Sequence, residues 1–123
     1  MAETGDRLVA ALQDEVGDAL RAIGWYTLED YEIVYERSDV ESRYSPDEID
    51  DIHREQVFEW LNRSYFEGLF DDVGELRCTT RWFDEIAVFI TLPDGDEALF
   101  VSVDRSETLD ADAVVARCRD LVS

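Results

Sequence analysis

The sequence predicts an α/β domain of the α+β type: a five-stranded, mostly antiparallel sheet with three helices, in the order α-β-β-α-β-β-β-α with the middle helix split. Two periodicities and one motif carry this expectation. Apolar residues recur at spacings of three and four near the start, in the middle and at the end of the chain, which marks amphipathic helices. Between those segments apolar and polar residues alternate, the period of strands with one buried face. The motif is Ser45-Pro46-Asp47-Glu48, an N-cap serine, a proline at the first helical position and a glutamate at N3, which together form a capping box. A chain of 123 residues makes one domain, 1–123, around one core.

Taken in order, the first helix is expected from Thr4 to Ile23, with Leu8, Leu12, Val16, Ala19, Leu20 and Ile23 on one stripe and Gly24 as its stop. Trp25 to Leu28 and Tyr31 to Arg37 read as a strand pair; in the second, Tyr31, Ile33 and Tyr35 alternate with Glu32, Val34 and Glu36. The polar segment "SDVESRY" reads as irregular and leads into the capping box, where a helix runs over 46–61. A weaker capping pattern, Ser64-Tyr65-Phe66-Glu67, predicts a break and a second helix over 64–72, before Gly74. Leu76, Cys78, Thr80 and Trp82 alternate with Arg77, Thr79, Arg81 and Phe83, so a strand lies over 75–83. The nearly all-apolar run Ile86 to Leu92, the loop "LPDGDE" with Pro93 presetting a turn, and Ala98 to Val103 form the next hairpin. A last helix over Leu109 to Leu121 buries Leu109, Ala113, Val114, Cys118 and Leu121, with Arg117 and Arg119 placed well for its dipole.

Charge sets the character of the surface. The chain has 31 acidic and 11 basic residues, a net charge of −20, and every base is Arg, with no Lys. At low salt this much like charge strains a small fold, whereas at molar salt the Debye length falls to about 3 Å and the repulsion is screened. The composition therefore predicts a halophile's cytoplasm, and the negative surface reports the solvent rather than a cationic partner. No apolar run of about 18 residues exists to span a membrane. The start "MAETGDRLVAALQDEV" carries acids where a secretory signal needs bases, so a cytoplasmic location is expected. Cys78 and Cys118 have no metal-type spacing and read as reduced thiols packed as small hydrophobes.

The element order is similar to that of the roadblock and dynein-light-chain domain, and more loosely to profilin-like folds. The stretches "YEIVYERSDV", "GELRCTTRWFDE" and "LFVSVD" resemble a small haloarchaeal domain family of unknown function. The roadblock resemblance implies a regulatory or scaffold domain, homodimeric through the middle helix and the strand after it: here Val57, Phe58, Trp60, Leu61 and strand 75–83. The resemblance to the haloarchaeal family implies no activity, and no cofactor is expected.

The residues themselves offer three candidate sites. His53, the chain's only histidine, lies within "SPDEIDDIHREQ" among five carboxylates. At about 100° per residue it turns towards Ile49, Ile52, Val57 and Trp60, while Asp47, Glu48, Asp51 and Glu55 turn away. A helical metal site needs a second ligand four residues off, and those positions are Ile49 and Val57. His53 is thus read as a core-edge side chain with a regulatory role as the sharper alternative, Asp50 being its one local partner; Asp50 is also placed to pair with Arg54. The second candidate is a partner surface of Arg77, Thr79 and Arg81 on one strand face, with Phe58 and Trp60 nearby; the plain reading pairs those arginines with acids such as Glu32 or Glu36. The third is nucleic acid: helices 46–61 and 64–72 with hairpin 75–92 read as a winged helix, although "SYFEGLFDD" carries no base to meet phosphate. A small-molecule site under the sheet is opposed by large side chains that predict a filled core. No phosphate loop, nucleophile elbow or paired-carboxylate cleft is present, so a non-enzymatic protein is expected.

Overall fold

A computed structural model describes residues 2–92 and 95–122, with side chains from Gly5 onward. The elements are α1 (Ala2–Val16), a 3-10 turn (Gly17–Ala19), β1 (Leu20–Tyr26), β2 (Tyr31–Glu36), α2 (Ser38–Glu41), α3 (Pro46–Leu61), α4 (Arg63–Gly68), β3 (Cys78–Trp82), β4 (Ile86–Thr91), β5 (Ala98–Asp104) and α5 (Ala111–Val122). The strands form one sheet in the order β2-β1-β5-β4-β3, every neighbouring pair antiparallel. The turn expected at Pro93 lies outside the described residues.

α1 and α5 cover one face of the sheet. Leu8, Leu12, Val114 and Cys118 pack there on Ile23, Phe89, Leu99, Val101 and Val103. α3 lies over the other face, where Trp60 packs with Tyr26, Val88, Ile90, Leu92 and Ala98. Covering both faces is why β4 and β5 read as continuous apolar runs rather than as alternations.

The first helix ends earlier than its stripe predicted. It stops at Val16, where Gly17 takes φ 60°, a conformation that costs glycine little. Leu20 and Ile23 belong to β1, and a bulge between Leu20 and Ala22 lets these residues, three apart, point into the same core. A bulged strand thus imitates helical spacing. "SDVE" forms the short α2, with Val40 buried, where irregular chain was expected.

The break in the middle helix is where the sequence placed it. Ser45 Oγ accepts from the Glu48 amide at 3.2 Å and Glu48 Oε1 accepts from the Ser45 amide at 3.0 Å, closing the capping box. At the far end Asn62 Nδ2 donates to the Phe58 carbonyl at 2.8 Å, and the chain restarts as α4. The second capping box does not form: the N-cap of α4 is Asn62, without a side-chain cap, and α4 stops at Gly68 rather than at 72. Asp72 and Gly74, at φ 58° and 80°, then turn the chain into β3. The winged-helix reading fails here, because β4 is held between β3 and β5 within the sheet and the would-be recognition helix is six residues long. Among the described residues no helix is long and apolar enough to cross a membrane.

Candidate functional site: a cavity under α3 and a groove along β3

The inner side of α3 faces small residues on the sheet. Ala22 on β1 stands opposite Ser102 on β5, and Gly24 opposite Phe100. Little side-chain volume fills the space below Ile49, Ile52 and Gln56, and a cavity of about 280 Å³ lies there, walled further by Ile33, Val88 and Phe100. The filled core expected from the abundance of large side chains is therefore corrected: their number was right, but the register sets the two smallest opposite the helix.

Four buried polar side chains line this cavity: Arg21, Tyr26, Gln56 and Ser102. Arg21 donates to Ser102 Oγ at 3.0 Å and lies 3.6 Å from Asp104, so its charge is met within the fold. Gln56 and Tyr26 are each 3% exposed, and neither Gln56 Oε1 nor Tyr26 Oη finds a hydrogen-bond partner among the described residues. Such a buried, unsatisfied group costs about 1–3 kcal/mol. Burial first, then the Glu59 carboxylate, raises the Tyr26 pKa, so the phenol keeps its proton and remains a donor.

His53 sits at the mouth of this cavity as a half-buried side chain. Its Nε2 lies 2.9 Å from the Thr27 carbonyl, which can only accept, so Nε2 carries the hydrogen. Its ring centroid is 5.9 Å from that of Tyr26 and 5.2 Å from that of Tyr31. Asp50 accepts from Tyr31 Oη at 2.9 Å, so Tyr31 stands against both members of the candidate pair. The Asp50–Arg54 pair is replaced by Arg54 with Asp51, at 2.9 Å.

A groove of about 510 Å³ lies between the C-terminal half of α3, α4 and β3, with Arg81 lining both it and the cavity. Phe58, Phe66, Leu76, Thr79 and Arg81 line it. Arg81 Nη2 donates to Glu59 Oε2 at 2.5 Å, which pins the helix to the edge strand. Glu32 and Glu36 lie on β2, at the opposite edge of the sheet, so the cross-strand pairing expected for these arginines does not occur. Arg77 pairs with Glu75 at 3.1 Å just before β3. Trp60 is half-buried against Tyr26, centroids 5.8 Å apart, whereas Phe58 and Leu61 are 66% and 67% exposed. The structure thus brings Phe58, Thr79 and Arg81 to one groove, turns Trp60 into the core beneath and leaves Arg77 beside it. Among the described residues no three potential ligands stand together to hold a metal.

Sequence reasoning missed Arg21, Tyr26 and Gln56. Gln56 did leave a signal: a polar residue on the stripe between Ile52 and Trp60. For Arg21 and Tyr26 the sequence offered none, since their direction depends on the bulge and on strand pairing.

The model of a family described as "Domain of unknown function (DUF7522)" matches residues 6–123. No curated protein matches the chain. Among solved structures, the chain is similar to a roadblock/LC7 domain from Streptomyces avermitilis, with 19% identity and a TM-score of 0.67 over 95% of this chain and 90% of that one. It is similar to Myxococcus xanthus MglB, with 7% identity and a TM-score of 0.68 over 98% of this chain and 84% of that one. It is also similar to MglB in a tetrameric arrangement, with 12% identity and a TM-score of 0.68 over 98% of this chain and 85% of that one. Likeness at these identities is likeness of fold: the five-stranded antiparallel sheet and its helices are those of a roadblock domain.

Proposed function

This chain belongs to the family of unknown function whose model matches residues 6–123, and from that footing we propose that it is a non-enzymatic regulatory or scaffold domain that acts through protein contacts as a homodimer. One observation carries the reading. The free edge of β3 and a set of exposed apolar side chains occur together: Phe58 and Leu61 on α3, and Tyr65, Phe66, Leu69 and Phe70 on and after α4. An open strand edge pairs readily with another strand, and contiguous exposed apolar surface marks an interaction site. The groove beside that edge accepts an apolar side chain from a partner, with Arg81 at its rim.

The roadblock resemblance supports this surface, because it implies dimers made by the middle helix and the following strand. The tetrameric arrangement recorded for an MglB neighbour is consistent with a fold that assembles. The halophilic, cytoplasmic setting belongs to the same proposal and rests on the charge of −20 without lysine. The physiological partner brings apolar side chains and, at that salt, does not depend on long-range charge.

Light scattering in molar potassium chloride tests the assembly. The expected mass is twice that of the 14.2 kDa chain, with Phe58→Asp and Leu61→Asp each shifting the protein to monomer while leaving its circular dichroism unchanged. A wild-type chain that stays monomeric at high concentration would remove the homodimer.

A further inference from the structure

We propose that the cavity between α3 and the sheet is a binding site for a neutral, two-ring-sized apolar molecule that carries one hydrogen-bond donor and one acceptor. The inference stands apart from the homodimer, since the cavity and the groove share only Arg81 among their lining residues and neither Phe58 nor Leu61 lines the cavity.

Size comes first. A dry apolar cavity of about 150 Å³ holds benzene; this one, at about 280 Å³, has nearly twice that room. Its walls are chiefly Ala22, Gly24, Ile33, Ile52, Val88 and Phe100, so the occupant is apolar over most of its surface. Polarity comes next. Tyr26 offers an unpaired O–H and Gln56 an unpaired amide oxygen, both within the lining and both buried, so the occupant presents one acceptor and one donor. Charge is excluded from both sides. An anion would meet Glu32 and Glu36 at the rim of a chain of net charge −20, while the guanidinium of Arg21 is already engaged by Ser102 and Asp104. A cation would leave water for apolar walls beside Arg21 and Arg81.

The cavity also has a reason to persist. α3 is held off the sheet at several points along its length: Tyr31 to Asp50, Thr27 to His53, the Tyr26 ring against Trp60, and Arg81 to Glu59. Collapse onto Ala22 and Gly24 would break these fixed contacts together. His53 and Tyr31 at the mouth, with Tyr31 and Ile33 exposed, give a route in.

The test uses 2-quinolinone, a two-ring lactam with an N–H donor and a carbonyl acceptor, and naphthalene, which has the shape without the polar groups. Calorimetric titration of the full chain in molar potassium chloride is expected to show saturable binding of the lactam, with naphthalene weaker by about tenfold for the lost polar contacts. Gln56→Leu is expected to narrow that preference, and Gln56→Leu with Tyr26→Phe to erase it. Ala22→Leu, and Ala22→Val should the former fail to fold, are expected to abolish binding of both probes. Absence of saturable binding by either probe, equal affinity for the two, or lactam binding unchanged when residue 22 is enlarged would each overturn the site, whatever light scattering shows about the dimer.

Discussion

Cys118 is fully buried between α5 and the sheet, and its thiol is pushed up from 9.0 to about 12, chiefly by burial and then by the neighbouring Cys78. The folded chain keeps this proton where an unfolded chain has lost it. Between about pH 9 and 12 the unfolded state therefore binds fewer protons, and stability falls as pH rises through that window, by up to about 1.4 kcal/mol per unit. Urea melts in molar salt at stepped pH values check this: Cys118→Ala is expected to be less stable at neutral pH but to lose less on going alkaline, and parallel slopes would count against the thiol. Cys118 is buried and Cys78 half-buried, and no disulfide joins them. His53 shows how far single residues could be read. Helical geometry turned it to the apolar side, as found, but its bond to Thr27 and its place between two tyrosines depend on where the β1–β2 hairpin meets α3, and no local pattern encodes that.

At the level of elements, α3 combines a signal that sequence carries with one that it does not. Its start was legible because a capping box is a contact among four consecutive residues; its end was placed by the weaker Ser64–Glu67 pattern, although that box does not form. Its seat on the sheet was not legible, since it depends on Arg81 reaching Glu59 across 22 positions of chain. That contact predicts an asymmetry. Arg81→Ala leaves the Glu59 carboxylate nearly buried without its cation, at a cost of about 2 kcal/mol, reduced from the value for a fully buried pair because the Arg81 side chain is 36% exposed. The double change Arg81→Ala with Glu59→Leu is expected to recover most of the loss, because no charge is then stranded. Thermal melts of the single and double variants decide it, and additive losses would show that the pair is unimportant. The failed boundary of α1 has an equally local cause. A bulge at Leu20/Ala22 gave strand residues the spacing of a helix, and only pairing with β5 reveals it.

On the scale of the whole molecule, the arginines are spent on holding the fold together: Arg37 binds Asp39 and Asp104, Arg63 approaches Glu67 and Glu75, and Arg117 approaches Asp14 and Glu15. With 31 acids and 11 bases, most of the carboxylates remain as uncompensated surface charge. Folding and pairing should then both depend on screening, and with different strengths, because a dimer doubles the charge held within one particle. Raising potassium chloride from about 0.1 M to 1 M shortens the Debye length from about 10 Å to about 3 Å, so the thermal midpoint is expected to rise across that range and then level off. Dimer dissociation, followed by light scattering on the same series, is expected to be the steeper of the two responses. Replacing exposed acids far from the groove, as in Glu41→Gln, Glu107→Gln and Asp120→Asn together, is expected to move both transitions to lower salt without altering the groove. If those variants keep the wild-type salt dependence, screening of net charge is not what the salt supplies, and specific ion binding to the folded surface becomes the explanation to test.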